Sequence, residues 1–257
     1  MNKFLSAVLL SLFCMSVPAL SQTISTDRPG FANGTGIVPA GATQVEGGYL
    51  YSRVEEVKEH TLGQLLVRYG VAEKLEFRLG VNSYVSTGGT GGDDSGFSDG
   101  SVGLKVKLYN GENAYETFSY DFSVVAETSL PTGSDGYRAS RLQPSAMFVL
   151  DVASAQGFTL SPFTAYTLVS DGSGQYSQFG AGVSLGVSLT ERSGCFLEYF
   201  GVAKEKDRGP ETTNYLDGGF TFLLAENCQA DIHAGLGLNG PDPNYFAGVG
   251  LSYLFAR

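Results

Sequence analysis

Phe179-Gly180-Ala181-Gly182-Val183-Ser184-Leu185-Gly186-Val187-Ser188-Leu189 is the stretch whose reading decides the fold. Successive side chains of an extended strand point to opposite faces. One face here is Phe, Ala, Val, Leu, Val, Leu, and the other is only Gly and Ser. A soluble sandwich buries its apolar face and shows polar, often charged, residues to water. A face of Gly and Ser is poor at that task. It suits the crowded inside of a narrow barrel, with the apolar face turned to lipid.

The same period of two runs outward from this stretch. Leu75, Phe77, Leu79 and Val81 alternate with Glu76, Arg78, Gly80 and Asn82. Val102, Leu104, Val106 and Leu108 oppose Ser101, Gly103, Lys105 and Lys107, and Phe118, Tyr120, Phe122, Val124 and Ala126 oppose Ser119, Asp121, Ser123, Val125 and Glu127. The pattern places about twelve strands, near 43–54, 61–71, 75–86, 99–109, 117–129, 141–150, 157–169, 176–189, 195–204, 213–224, 228–239 and 245–255. Pro144 and Pro162 each remove a ladder donor, and the alternation slips around Pro162, which predicts a bulge there. No segment reads as a helix, and no strict repeat is present. The fold class is all-β, a transmembrane antiparallel up-and-down barrel.

Connections alternate in character. Ala72-Glu73-Lys74, Thr190 to Gly194 and Ala225-Glu226-Asn227 are short, whereas Thr87 to Ser98, Leu130 to Ser140 and Lys204 to Thr212 are longer and polar or Gly-rich. Outer-membrane barrels have short periplasmic turns and longer outside loops, so both termini of a twelve-strand barrel face the periplasm. The last residues, Leu251-Ser252-Tyr253-Leu254-Phe255-Ala256-Arg257, alternate like a closing strand. Such barrels commonly end on an aromatic, and this chain runs two residues further.

Residues 1–21 read as a signal peptide: Lys3 supplies the positive start, Phe4 to Val17 the apolar stretch, and Ala19-Leu20-Ser21 the small cleavage site. The Phe13 before Cys14 does not suit lipidation. Residues 22–42 hold two prolines and four glycines and form no strand. Two readings stand for them, a periplasmic tail, or a short plug in the lumen with Asp27 and Arg28 finding partners on the wall. Residues 43–257 are the barrel.

Composition excludes other classes. Charged residues are 16%, against about 25% in ordinary soluble domains. Net charge is −10 and Lys and Arg do not cluster, so nucleic acid, which demands such clusters, is not a partner. The partners implied are outer-membrane lipid, the barrel-insertion machinery and a small solute of unknown identity; no cofactor is implied.

Polar parity gives a lumen set of both signs: Glu46, Arg68, Glu76, Arg78, Lys105, Lys107, Asp121, Glu127, Arg141, Glu198, Asp217, Asp231 and His233. Buried charges are normally paired, so a self-neutralising network filling a narrow barrel stands beside a lining that selects solutes. A twelve-strand barrel lies between the packed eight-strand size and open porins, and both readings fit it. His60 is expected in an outside loop beside Glu59. A lipid hydrolase would need a Ser–His–acid arrangement on His233; no elbow motif flanks any serine, and no catalytic residue is assigned. Two histidines without Cys/His spacing supply no transition-metal site. The Gly88–Gly92 run lacks the GK[ST] of a phosphate loop. Cys195 and Cys228 begin strands one strand apart, about 10 Å, beyond an undistorted disulfide, so a bridge between them requires the turns to fold together.

Several stretches together resemble one family: Ser25-Thr26-Asp27-Arg28-Pro29-Gly30-Phe31, Leu130-Pro131-Thr132-Gly133, Glu198-Tyr199-Phe200-Gly201, Tyr215-Leu216-Asp217-Gly218-Gly219-Phe220-Thr221, and Ala234-Gly235-Leu236-Gly237-Leu238-Asn239 followed by Tyr245-Phe246-Ala247-Gly248-Val249-Gly250. These are similar to the outer-membrane transporter-like proteins grouped as the MetA-pathway of phenol degradation. The resemblance covers nearly the whole mature chain. It implies a channel or transporter that takes up aromatic or other hydrophobic compounds; it brings no catalytic residues. The alternative from the residues alone is a closed structural or adhesive barrel.

Overall fold

The computed structural model describes residues 24–89, 92–115, 117–171, 174–206, 209–239 and 244–255. The expected signal segment, 1–21, lies outside them. The strands are β1 (Thr43–Val54), β2 (Val57–Ala72), β3 (Leu75–Gly80), β4 (Tyr84–Gly88), β5 (Asp94–Phe97), β6 (Gly100–Tyr115), β7 (Phe118–Leu130), β8 (Gln143–Ser154), β9 (Phe158–Asp171), β10 (Gly174–Ser188), β11 (Ser193–Lys206), β12 (Gly209–Ala225), β13 (Cys228–Gly237) and β14 (Tyr245–Phe255). β3 and β4 are two pieces of one stave, interrupted at 81–83, and β5 and β6 form the next. Twelve antiparallel staves result. Each pairs with its sequence neighbour, and β1 pairs with both β14 and β2, which closes the sheet into a barrel.

Closure satisfies every edge in a solvent that offers no hydrogen bonds. The outside of the wall carries the large apolar residues. Leu185, Leu197, Phe220, Ile232, Val249 and Leu251 are all exposed, far more apolar surface than a soluble monomer shows. The opposite parity is buried and polar: Glu46, Arg68, Glu76, Lys105, Ser123, Glu198 and Ser252. Among the described residues no helix is long and apolar enough to cross a membrane; this chain crosses with strands.

Several expectations need correction. The segment from Lys204 to Thr212 is mostly strand, since β11 runs to Lys206 and β12 starts at Gly209. The outside turn between β1 and β2 is short, at Glu55 and Glu56, where Glu55 takes a left-handed backbone (φ 52°). His60 is therefore in β2, paired across to Tyr51, with Tyr49 Oη 2.7 Å from its Nδ1. Pro162 causes no bulge. The β8–β9 ladder lacks the pairs at 150–151 opposite 161–162 but resumes in unchanged register, and Pro162 keeps its place opposite Val183 on β10. The missing N–H is absorbed locally. A bulge does occur between Lys107 and Tyr109, where the extra residue lets Leu108 and Tyr109 both face lipid.

Residues 24–42 lie inside the barrel. Ile24 N–H donates to the Glu226 carbonyl at the terminus-bearing rim, and Gly41 N–H donates to Gly70 at the same rim. Both feet thus stand at one end, and the chain between them rises into the lumen and returns. Gly70 makes the second foot possible. A Cβ there would sit about 2.1 Å from the Pro39 carbonyl oxygen.

The wall tolerates polarity on one side only. Ile232, exposed at the middle of β13, faces hydrocarbon. Ile232→Arg is expected to destabilise the barrel by about 2–4 kcal/mol, measured by denaturant unfolding in lipid vesicles.

Candidate functional site

The lumen is divided by chemistry around its circumference. One side, formed by β1, β2, β3 and β6, carries charge. Arg68 stands at its centre and is fully buried. Its Nε and Nη2 grip Glu76 in a bidentate pair at 2.8 and 2.9 Å, and its Nη1 reaches Glu46 at 2.7 Å. The same guanidinium donates to the carbonyls of Ser25 and Gly36 on the inserted segment. Arg78 binds Glu76, Glu127 and Asp27. Lys105 Nζ meets Asp27 Oδ1 at 2.6 Å and the Gly36 carbonyl at 3.2 Å.

Asp27 is the counter-ion that the segment brings to this wall. Three cations face it, Lys105, Arg78 and Arg68, and Gly34 N–H donates to it as well. Burial disfavours its ionised form, but the three cations together outweigh burial and hold its carboxyl well below the ordinary carboxylate range. Glu46 accepts the Asp27 N–H, and Glu76 accepts the Val38 N–H. Wall carboxylates therefore hold the segment's backbone while wall cations hold its side chain.

Arg28 turns to another sector. It pairs with Asp231 at 3.3 Å and donates to Gln64 and to the Val249 carbonyl. Gly250 gives it a seat, because a Cβ there would lie about 2.2 Å from Arg28 Nε. Glu198, fully buried on β11, accepts the N–H groups of Phe31 and Ala32 at 2.7 and 3.1 Å. Asp151 on β8 accepts both the N–H and the hydroxyl of Thr35.

Other residues of the charge set lie apart from these. Lys107 pairs with Asp121 at 3.1 Å near the terminus-bearing end. Asp217 faces Glu198 across β11 and β12, and His233 Nδ1 lies 4.0 Å from Asp217 Oδ2. Arg141 is exposed in the connection before β8 and does not belong to the lumen wall; it lies two residues before the strand begins. Cys195 keeps a free thiol and no Cys195–Cys228 bridge forms. Cys195 pairs with Phe220, which pairs with Ile232, four residues along β13 from Cys228. The offset along the strand adds to the two lateral steps.

The remaining side of the lumen also carries an apolar cluster. Val149, Phe163, Phe200, Val202 and Tyr215 form a buried cluster inside the barrel, with Phe246 and Ala32 against it. Phe31 of the inserted segment stacks on Phe200 at 4.5 Å, and Phe200 stacks on Tyr215 at 4.7 Å. Sequence parity missed these rings because it assigned apolar residues outward. It also missed Asp151, which falls one residue beyond the expected strand end, and the uncharged Gln44 and Gln229, which donate to Ser25 and Thr26.

Two cavities flank the segment. The outer one, about 540 Å³, is lined by the aromatic side, by Leu50 and Gln178, and by Asp217 and His233. The inner one, about 290 Å³, runs beside Ser184, Gly186 and Ser188 of β10 toward the terminus-bearing rim. Both touch Arg28, Pro29 and Gly30.

Residues 26–255 match the family model described as "Putative MetA-pathway of phenol degradation". The chain belongs to this family. No curated protein matches its sequence. The fold is similar to that of the COG4313 outer membrane channel from Pseudomonas putida F1, with a TM-score of 0.71 at 15% identity over 89% of this chain and 99% of that one. The NanC porin is similar at a TM-score of 0.53 and 11% identity, covering 82% of this chain and 99% of that one. The β domain of the Bordetella autotransporter BrkA gives 0.52 at 12% identity, over 84% and 100%. This family member shares the β-barrel fold of these outer-membrane proteins.

Replacing Asp27 with Asn leaves three buried cations short of a partner. Breaking such a buried pair costs about 3–5 kcal/mol, so hydrogen exchange across residues 24–42 is expected to quicken while the strands keep their protection. In the wild type, Asp27 has a depressed folded-state pKa, so its contribution is complete at neutral pH and is lost only as pH falls below the ordinary carboxylate range toward that depressed value. Protection of the Gly34 amide, corrected for the intrinsic pH dependence of exchange, is therefore expected to hold from pH 7 down to pH 4; loss already near pH 5 would contradict the assignment.

Proposed function

We propose that this chain is a passive outer-membrane channel for small molecules, with aromatic or other hydrophobic compounds as its solutes. Residues 24–42 act as a plug that narrows the bore without filling it. The observation that carries this reading is the pair of cavities, which approach one another from opposite ends and share only the Arg28–Gly30 turn. The route is off-centre. On the charged side the plug is tied to the wall at every level, whereas on the opposite side the small face of β10 leaves room. Membership of the family, and the likeness of the fold to a protein described as an outer membrane channel, support the same reading.

The two ends of the route differ in character. The outer cavity has aromatic rings beside Lys204, Asp217 and His233, and the inner one is lined largely by Ser, Thr and Gly with Asp27 and Glu198. A hydrophobic solute would partition into the first and leave through the second. Export through the signal segment 1–21 and insertion by barrel-assembly machinery complete the proposal. A hydrolase is not favoured. The His233 Nδ1 makes no hydrogen bond and stands 4.0 Å from its nearest acid, whereas a Ser–His–acid relay needs that bond to orient the ring.

A closed structural or adhesive barrel is the competing reading, favoured by the density of ion pairs around Asp27. Conductance separates the two. Gly186 has open space beside it, its added Cβ meeting nothing nearer than 3.8 Å, so Gly186→Phe can fold and fill the inner cavity. Since pore diameter limits flux, planar-bilayer conductance of this variant is expected to fall below about a third of wild type. Wild-type protein that inserts but conducts nothing would leave the closed barrel standing.

A further inference from the structure

The two cavities meet at a pair of acids. Glu198 lines the inner cavity and Asp217 the outer one. The β11–β12 register sets the two residues directly opposite each other. Glu198 is fully buried, and Asp217 is 3% exposed. The plug turn that both cavities share passes over them, since a Cβ on Gly30 would lie 3.3 Å from Glu198 Oε2. A solute that moves from one cavity to the other therefore passes these carboxylates at close range.

What sets this pair apart is the lack of a cation. Arg68 neutralises Glu46 and Glu76, Arg78 takes Glu127, Lys107 takes Asp121, and Arg28 takes Asp231. Asp151 is taken up by the hydroxyls of Thr35 and Ser161 and lines neither cavity. Among the described residues, Glu198 and Asp217 pair with no Lys or Arg. Glu198 accepts two plug amides, which cancel no charge. Asp217 Oδ1 is buried without a hydrogen-bond partner, and His233 Nδ1 stands 4.0 Å from Oδ2, too far for a hydrogen bond. The cations of the outer cavity are committed elsewhere: Arg28 to Asp231, while Lys204 stands opposite Glu211 on β12. Two facing acids that share one proton still carry a net negative charge as a pair. A narrow passage with low-dielectric walls focuses that field, which enriches cations and depletes anions.

We propose that Glu198 and Asp217 form a charge filter between the two cavities, one that admits small cations and neutral molecules and turns back anions. The filter rests on the channel reading and adds to it a rule for which solutes pass. Its action is local. The net charge of −10 would favour cations at either mouth, but salt screens remote charge, with a Debye length of about 3 Å at 1 M. A pair inside the passage stays effective at that salt.

The test is the zero-current potential of the mature full-length protein in planar bilayers, under a KCl gradient from about 0.1 to 1 M. The wild type is expected to pass K⁺ about tenfold better than Cl⁻, the lower end of the enrichment that a focused field produces. Asp217→Lys puts an ammonium beside Glu198 and removes no hydrogen bond of the plug, so it should bring the ratio to about one. The double variant Glu198→Gln/Asp217→Asn keeps the shape of both side chains and should do the same; it keeps the test valid if Asp217→Lys does not fold. Either half of that double variant alone leaves one carboxylate, and a preference of about threefold or more should remain. Asp94→Asn, exposed on β5 and lining neither cavity, should change neither conductance nor ratio. A wild-type ratio near one, a chloride preference, or a ratio that neither Asp217→Lys nor the double variant moves in a conducting protein overturns the filter and leaves the channel. A wild type that inserts but passes no ion overturns the channel reading, and the filter with it.

Discussion

Arg68 is the point on which the lumen turns. A guanidinium buried in a barrel that lipid surrounds has no water to fall back on, and its charge is tolerable only if every donor is used. The structure uses them all on two kinds of partner at once. Two wall carboxylates, Glu46 and Glu76, neutralise it, and two carbonyls of the inserted segment, Ser25 and Gly36, complete it. The wall thus depends on the segment as much as the segment depends on the wall. Asp27 repeats the arrangement with signs reversed, since a carboxylate carried by the segment satisfies three cations carried by the wall.

That concentration of charge explains the rest of the cross-section. With Arg68, Arg78 and Lys105 gathered on β2, β3 and β6, the far side holds only scattered carboxylates, Asp151 and Glu198, which take N–H groups of the segment, and Asp217. It is filled by rings at the outer level and by glycine and serine below. The space left there is a consequence of where the segment is fastened. The segment is held most densely on that side, with single anchors at Asp151 and Glu198 opposite, and free volume remains along β10.

How much of this was legible in the chain differs by level. Strand positions were, because the outward parity faces a uniform hydrocarbon and must be apolar at each step; the staves observed lie within a few residues of the pattern. The inward parity was legible as polar but not as a set of partners. Nothing in the spacing of Arg68, Glu76 and Lys105 says that they converge on Asp27, since convergence depends on register and on the path of a segment with no periodicity of its own. The internal aromatics were hidden for a related reason. Phe200 and Val202 share their strand with the outward Tyr199, so both parities are apolar there and alternation carries no information. Arg141 misled because polarity outside a strand has no face, and His60 because polar neighbours in a protruding strand look like a loop.

The inserted segment stands first in the described chain, yet its partners lie on β1, β2, β3, β6, β8, β11 and β13, nearly the full length of the sequence away in the last case. Its full set of contacts therefore exists only where the sheet has rolled up and its final strand has met its first. A closed cylinder without the segment would leave Lys105 without its counter-ion and Arg68 without two of its five acceptors, around a wider opening.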